Sequence, residues 1–251
     1  MKIGYSMYSA RDLVKGPAEM ESTLKALAEM GYEGVELFLY AGVKPEQLKK
    51  MLETFHLEAI ATHVHQFRWD ADTDEEIEYA QKAGIRRLVY PWVEPEKRSE
   101  ECFHKLKDYL EELSAKCSAR GIELLYHNHD FEFAPMGKGR VIDYLLGQSN
   151  AYGFELDTFW AEFAGVNVAD YLQQLGSRVP IIHIKDYLGV DESKEPQITA
   201  IGTGKLDNIP IIRTAREMNK EWLIVELDSS PYPVLESARM SIDYIRSVCE
   251  T

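Results

Sequence analysis

Short runs rich in β-branched and aromatic residues alternate, from one end of the chain to the other, with longer stretches whose apolar positions recur every three or four residues. The period-2 or wholly apolar runs predict strands over residues 2–8, 34–39, 57–65, 87–92, 122–127, 153–157, 180–185 and 222–227. The intervening stretches predict helices over 19–30, 45–55, 72–83, 96–120, 141–146, 168–175, 208–219 and 233–248. Local signals agree with these boundaries. Met20, Leu24, Leu27 and Ala28 form one helical face that runs into Gly31, a natural C-cap, and Pro45 suits a first helical turn. The acidic start of the 72–83 helix suits the helix dipole, and Gly84 ends it.

Strands such as LLYH, IIHI and LIVEL are apolar on both faces, as in a parallel sheet covered by helices. Eight strand–helix units with no linker or composition shift between them predict a single (β/α)8 TIM barrel spanning residues 1–251. A doubly wound open sheet is the alternative, but the first turn lacks the G-x-G-x-x-G of dinucleotide-binding sheets.

Composition narrows the class of partner. A formal net charge of −14, without a Lys/Arg cluster, argues against nucleic-acid binding. No stretch approaches the roughly 18 apolar residues of a membrane span, and no charged-then-apolar leader is present. Cys102, Cys117 and Cys249 are scattered; Cys102 and Cys117 share a helical face with Phe103, Leu106, Leu110 and Leu113 and read as inert core thiols of a cytoplasmic protein. A homo-oligomer is compatible with all of this.

In a barrel of this kind the site is assembled at the C-terminal ends of the strands. Five of the seven histidines fall there: His63, His65, His127, His129 and His183. Glu36, Glu155, Asp157, Lys185, Asp186, Glu226 and Asp228 accompany them. One ligand from each of the last four strands gives a divalent-metal set of His127, Asp157, His183 and Glu226, suited to Mn²⁺, Mg²⁺, Co²⁺ or Zn²⁺. Alternation along the strand points Lys185 the same way as His183, where it could hold a substrate oxygen. Singly, each histidine could be a hydrogen-bonded structural residue, and Asp157 and Glu226 could close the rim as salt bridges. As a set they are explained by a cation, because buried carboxylates repel one another without one.

Two further features are less specific. Gly202-Thr203-Gly204 could cradle a phosphate, although a tight turn is the simpler reading. Phe131, Phe133, Phe159 and Trp160 could form a wall for a sugar ring or pack the rim.

The segments MKIGYSMYSARD, MGYEGVELF, YHNHDFEF, ELDTFW, HIKD and IVELD, in this order, resemble the sugar phosphate isomerase/epimerase group of xylose isomerase-like barrels. That group includes inosose dehydratases, ketose 3-epimerases and, more distantly, endonuclease IV-type repair enzymes. The resemblance covers essentially the whole chain and implies a divalent metal, Mn²⁺ foremost, with Asp157, His183 and Glu226 at three ligand positions. The family's fourth ligand is typically a Glu where this chain has His127, and a His follows the strand-six Asp where this chain has Trp160. With His127 there, a symmetric two-carboxylate epimerisation is less secure, and YHNH is closer to the dehydratase-like and keto-sugar branches, where His or Glu serves as base.

The expected activity is metal-assisted isomerisation or epimerisation of a sugar or keto-sugar, with dehydration of a keto-sugar or inosose as the alternative. Glu226 or His129 would remove the proton, Lys185 would hold an oxygen, and His63, His65, Glu132 and Trp160 would contact a neutral sugar or cyclitol. An endonuclease-like phosphodiesterase and a non-catalytic sugar sensor are the remaining readings; the acidic charge disfavours the first.

Overall fold

A computed structural model describes residues 1–147 and 150–250. Its centre is a closed parallel barrel of eight strands: β1 Lys2–Ser6, β2 Gly34–Leu37, β3 Glu58–His63, β4 Arg87–Tyr90, β5 Glu123–His127, β6 Gly153–Asp157, β7 Ile181–Ile184 and β8 Trp222–Val225. Each pairs with its neighbours in sequence, and β1 pairs with β8 to close the sheet. The helices around it are α1 Pro17–Met30, α2 Pro45–Phe55, α3 Gln66–Ala71, α4 Thr73–Ala83, α5 Glu100–Ser118, α6 Val141–Leu146, α7 Thr158–Phe163, α8 Val168–Leu175, α9 Asn208–Glu217 and α10 Val234–Glu250.

The differences from expectation lie at element ends and in the loops over the C-terminal face. The 72–83 helix starts one residue later because Asp72 is its N-cap, accepting from the amides of Asp74 and Glu75. The 96–120 helix begins at Glu100, where the Ser99 side chain caps it, after a short 3-10 turn at Pro95–Lys97. Helices α3 and α7 and the antiparallel ribbon Asp186–Val190/Pro196–Thr199 were not expected. Cys117 is buried as expected, whereas Cys102 is only half-buried. No helix among the described residues is long and apolar enough to cross a membrane.

Inward-facing side chains stack in layers. Ile60, Ala61, Val89, Leu125, Ile181, Trp222 and Ile224 plug the lower barrel. Trp222 fits because β2 carries Gly34 beside it: a Cβ there would lie 2.8 Å from the indole and from the Glu58 carbonyl. Above this apolar plug the interior becomes ionisable, and there the site begins.

Candidate active site

A cavity of about 580 Å³ opens where the strands end. Its floor includes His63, His127, His129, Lys185, Glu226 and Asp228, and its walls carry Tyr8, Phe38, Trp92, Trp160 and Phe163. The ribbon after β7 reaches over it with Lys194 and Glu195.

The four residues expected as ligands converge. His127, Asp157, His183 and Glu226 each offer one atom, all within 4.8 Å of one another, and all four are buried. His183 Nδ1 lies 2.5 Å from Glu226 Oε2, and His127 Nε2 lies 3.8 Å from Asp157 Oδ2. Lys185 enters the same group as expected: its Nζ is 3.1 Å from Asp157 Oδ2, 3.3 Å from Glu226 Oε2 and 2.9 Å from Asp228 Oδ2. Asp157 also caps α7 through the Trp160 amide, which fixes its carboxylate at the strand end.

Below this group lies a second tier, to which Glu36 and Glu155 belong. Glu155 Oε2 is 2.7 Å from His63 Nε2 and 2.9 Å from His127 Nδ1. Glu36 Oε2 is 2.8 Å from His183 Nε2 and 3.2 Å from His63 Nε2. The sequence showed both glutamates near strand ends but gave them no role. Period-2 alternation says which face a residue takes, but not its height in the barrel. His63, His127, Glu155 and His183 form a second group whose ligand atoms lie within 4.8 Å.

Burial opposes charge at every one of these groups, and the neighbours decide the outcome. For His183, Glu155, Glu36 and Glu226 outweigh burial and hold the ring well above the usual imidazole range. For Glu155, His183 and His63 outweigh burial and hold the carboxyl well below its usual range. Lys185 and His183 do the same for Glu226. Glu36 is pushed up to about 7, first by burial and then by Glu155. Burial, with His127 and Lys185 nearby, drives His129 well below the usual range, so its ring is neutral near pH 7.

The remaining expected residues divide. His129 lies on the floor with Nδ1 lacking a partner, its ring against Trp92 and Trp160. Trp160 lines the wall, and its buried Nε1 also lacks a partner. His63 reaches the cavity but its Nε2 is engaged by the lower carboxylates, and His65 stands at the rim beside Phe38 and Phe67. Glu132 does not face the cavity. It is wholly buried, accepting from the Tyr126 hydroxyl at 2.7 Å and the His129 amide at 2.8 Å, because the 3-10 turn Phe131–Phe133 swings it back under β5. In this position it braces the His129 backbone amide rather than lining the cavity, where it was expected. Of the aromatic group, Phe159 and Phe133 are core, and Phe131 packs against Trp92. The Gly202–Gly204 turn is not an open cradle, since its amides donate to the Asp186 carboxylate.

The donor set of the upper group, imidazole and carboxylate, suits a first-row divalent ion. Asp157 Oδ2 and Glu226 Oε2 are among the buried carboxylate oxygens there, and Asp157 Oδ2 forms no hydrogen bond. The residues fit such an ion.

Comparison with known proteins agrees with the fold. Over 171 residues the chain is 28% identical to an inosose dehydratase of Mesomycoplasma hyopneumoniae, covering 58% of this chain and 54% of that protein. The chain thus spans about half the length of the curated relatives it matches. A sugar phosphate isomerase/epimerase structure from Parabacteroides distasonis superposes with a TM-score of 0.77 at 24% identity, over 97% of this chain and 96% of that one. An IolI protein structure with a bound zinc atom gives a TM-score of 0.76 at 16% identity, over 99% and 98% of the two chains. The model of the xylose isomerase-like TIM barrel matches residues 24–248, and the chain belongs to that family.

Proposed function

We propose that this chain is a divalent-metal-dependent enzyme that moves a proton next to the carbonyl of a sugar or keto-sugar, giving isomerisation or epimerisation. The observation that carries the reading is the convergence of His127, Asp157, His183 and Glu226, with Lys185 among them, on the floor of a cavity walled by aromatic rings. These four side chains would hold the ion, which as a Lewis acid would acidify the C–H beside a bound carbonyl. The zinc in the IolI structure supports a metal at such a site without choosing between zinc and manganese.

The protein's own groups supply the remainder. A sugar ring stacks its apolar face on Trp160, with Trp92 and Phe38 around it. The Trp160 Nε1–H and His129 Nδ1, both without partners, take hydroxyls. Lys185 places its ammonium against a substrate oxygen and compensates negative charge as it develops there. Glu226, held ionised by Lys185 and His183, removes the proton; neutral His129 is the second proton-transfer group.

Dehydration is the second reading. It is favoured by the likeness to inosose dehydratases and by His127, which leaves Glu226 without a matching carboxylate on β5 for a symmetric two-base reaction. The test is incubation of the metal-loaded protein in D₂O with a panel of keto-sugars and inososes. Substrate-dependent deuterium incorporation supports proton transfer, and loss of water from the product selects dehydration. Absence of exchange and of turnover across the panel, with metal bound, contradicts both.

A further inference from the structure

His127 and His183 each stand between two tiers of carboxylates, one nitrogen facing each tier. His183 directs Nδ1 at Glu226 Oε2 across 2.5 Å, while its Nε2 lies 2.8 Å from Glu36 Oε2 and 3.4 Å from Glu155 Oε2. His127 is turned the other way about: Nδ1 lies 2.9 Å from Glu155 Oε2, and Nε2 faces Asp157 Oδ2. A neutral imidazole carries one N–H and one lone pair, and only the lone pair binds a cation. The two rings therefore need opposite tautomers to serve one ion: Nδ1–H in His127 and Nε2–H in His183.

We propose that Glu155 and Glu36 are positioning residues that accept those two N–H groups and so fix the tautomers in which His127 Nε2 and His183 Nδ1 present lone pairs to the upper tier. This rests on the reading of the upper tier as a metal site. Both glutamates are wholly buried, and neither Glu36 oxygen has a hydrogen bond elsewhere. The His183 Nε2–Glu36 contact is close but not aligned as a hydrogen bond, and His183 Nε2 has no other. With Nδ1 given to an ion, the proton on Nε2 would have Glu36 Oε2 as its nearest acceptor. His63 Nε2 reaches both carboxylates as well, at 2.7 Å from Glu155 Oε2 and 3.2 Å from Glu36 Oε2.

The lower tier has donors enough to suggest a cation of its own, but two of its three nitrogens are the reverse sides of upper-tier ligands. Filling both tiers would strip both imidazoles of every proton. The carboxylates are therefore acceptors in a carboxylate–histidine–metal arrangement, whose outer members tune affinity by about 10- to 100-fold.

The test is Co²⁺ binding, read by competition with a chelator and by the visible absorption of the bound ion. It compares wild type with Glu155→Gln, Glu155→Met, Glu36→Gln and Asp157→Asn, each checked for folding by its metal-free melt. Wild type is expected to bind one equivalent, Asp157→Asn to lose it, and Glu155→Gln and Glu36→Gln to bind about 10-fold more weakly. Glu155→Met, which keeps no acceptor, is expected near 100-fold, with an altered cobalt spectrum; the isosteric Gln variants carry the test if Met does not fold. Cobalt lost in Asp157→Asn but held within about twofold of wild type in the Glu155 and Glu36 variants overturns the positioning role alone. Two equivalents in wild type, falling to one in those variants, also overturns it by making the lower tier a metal site. A wild type that binds no cobalt overturns the metal reading and this inference with it.

Discussion

Lys185 and Asp157 are joined by a buried ion pair, Nζ to Oδ2 3.1 Å, at the tips of adjacent strands. The lysine is 1% exposed and also faces Glu226 and Asp228, so one ammonium lies among three carboxylates, with His183 a second partner of Glu226. Burial works to lower its pKa, and Asp157, Asp228 and Glu226 more than reverse that. Lys185→Met leaves these carboxylates facing one another. The metal-free variant is expected to lose about 3–5 kcal/mol of stability in urea unfolding. Added Zn²⁺ should stabilise it more than it stabilises wild type. Equal stabilisation of the two would show that lysine and ion do not share that charge.

In the proposed reaction Glu226 would remove the proton. Glu226→Gln keeps the shape of the side chain but removes the base, and is expected to lower deuterium exchange into substrate by about 10²- to 10⁴-fold. Exchange at the wild-type rate in that variant would reassign the base, with His129 the next group to replace.

Glu132 gives the fold a dependence on pH of its own, away from the upper group. Burial raises its carboxyl from 4.5 to about 8. Between those values the folded protein keeps a proton that the unfolded chain has released. Stability from this group is thus fully present below about 4.5 and declines as pH rises toward 8, by at most about 1.4 kcal/mol per unit. Glu132→Gln imitates the protonated form and should gain on wild type as pH rises from 5 to 8 in urea titrations. A difference that is flat across that range would mean Glu132 is ionised in the fold.

Asp186 organises the loop beyond β7. Its carboxylate accepts from the amides of Tyr187, Gly202, Gly204 and Leu206 at 2.8–3.1 Å. Gly204 is required there, since a Cβ would lie 2.1 Å from Asp186 Oδ1. Asp186→Asn turns an NH₂ toward two of those donors and is expected to cost about 2–3 kcal/mol, seen as a lower Tm. Because the amides are already satisfied, inorganic phosphate is expected to leave the wild-type Tm unchanged. A rise with phosphate would restore the anion-cradle reading of Gly202–Gly204.

The barrel could be read from the chain because each strand is short, apolar on both faces and followed by an amphipathic helix. The convergence of the upper group could be read for a related reason: His127, Asp157, His183 and Glu226 lie at the ends of four successive strands, and a closed barrel brings successive strand ends side by side. The lower tier could not. Glu36 and Glu155 lie on strands four places apart in the chain, and they meet at His63 only through the stacking of layers inside a closed barrel. Glu132 was misplaced because a 3-10 turn has neither of the periods that assign a face. The short helices α3 and α7 and the ribbon over the cavity were missed for want of length. Each is six residues or fewer per element, too short for a repeating pattern to show.

Crystals grown with Mn²⁺ and measured at the manganese absorption edge test the central claim most directly. One anomalous peak per chain is expected, bounded by His127 Nε2, the Asp157 carboxylate, His183 Nδ1 and the Glu226 carboxylate, each about 2.0–2.3 Å from the ion. No peak at that position, with those side chains still paired to one another and to Lys185, would contradict it.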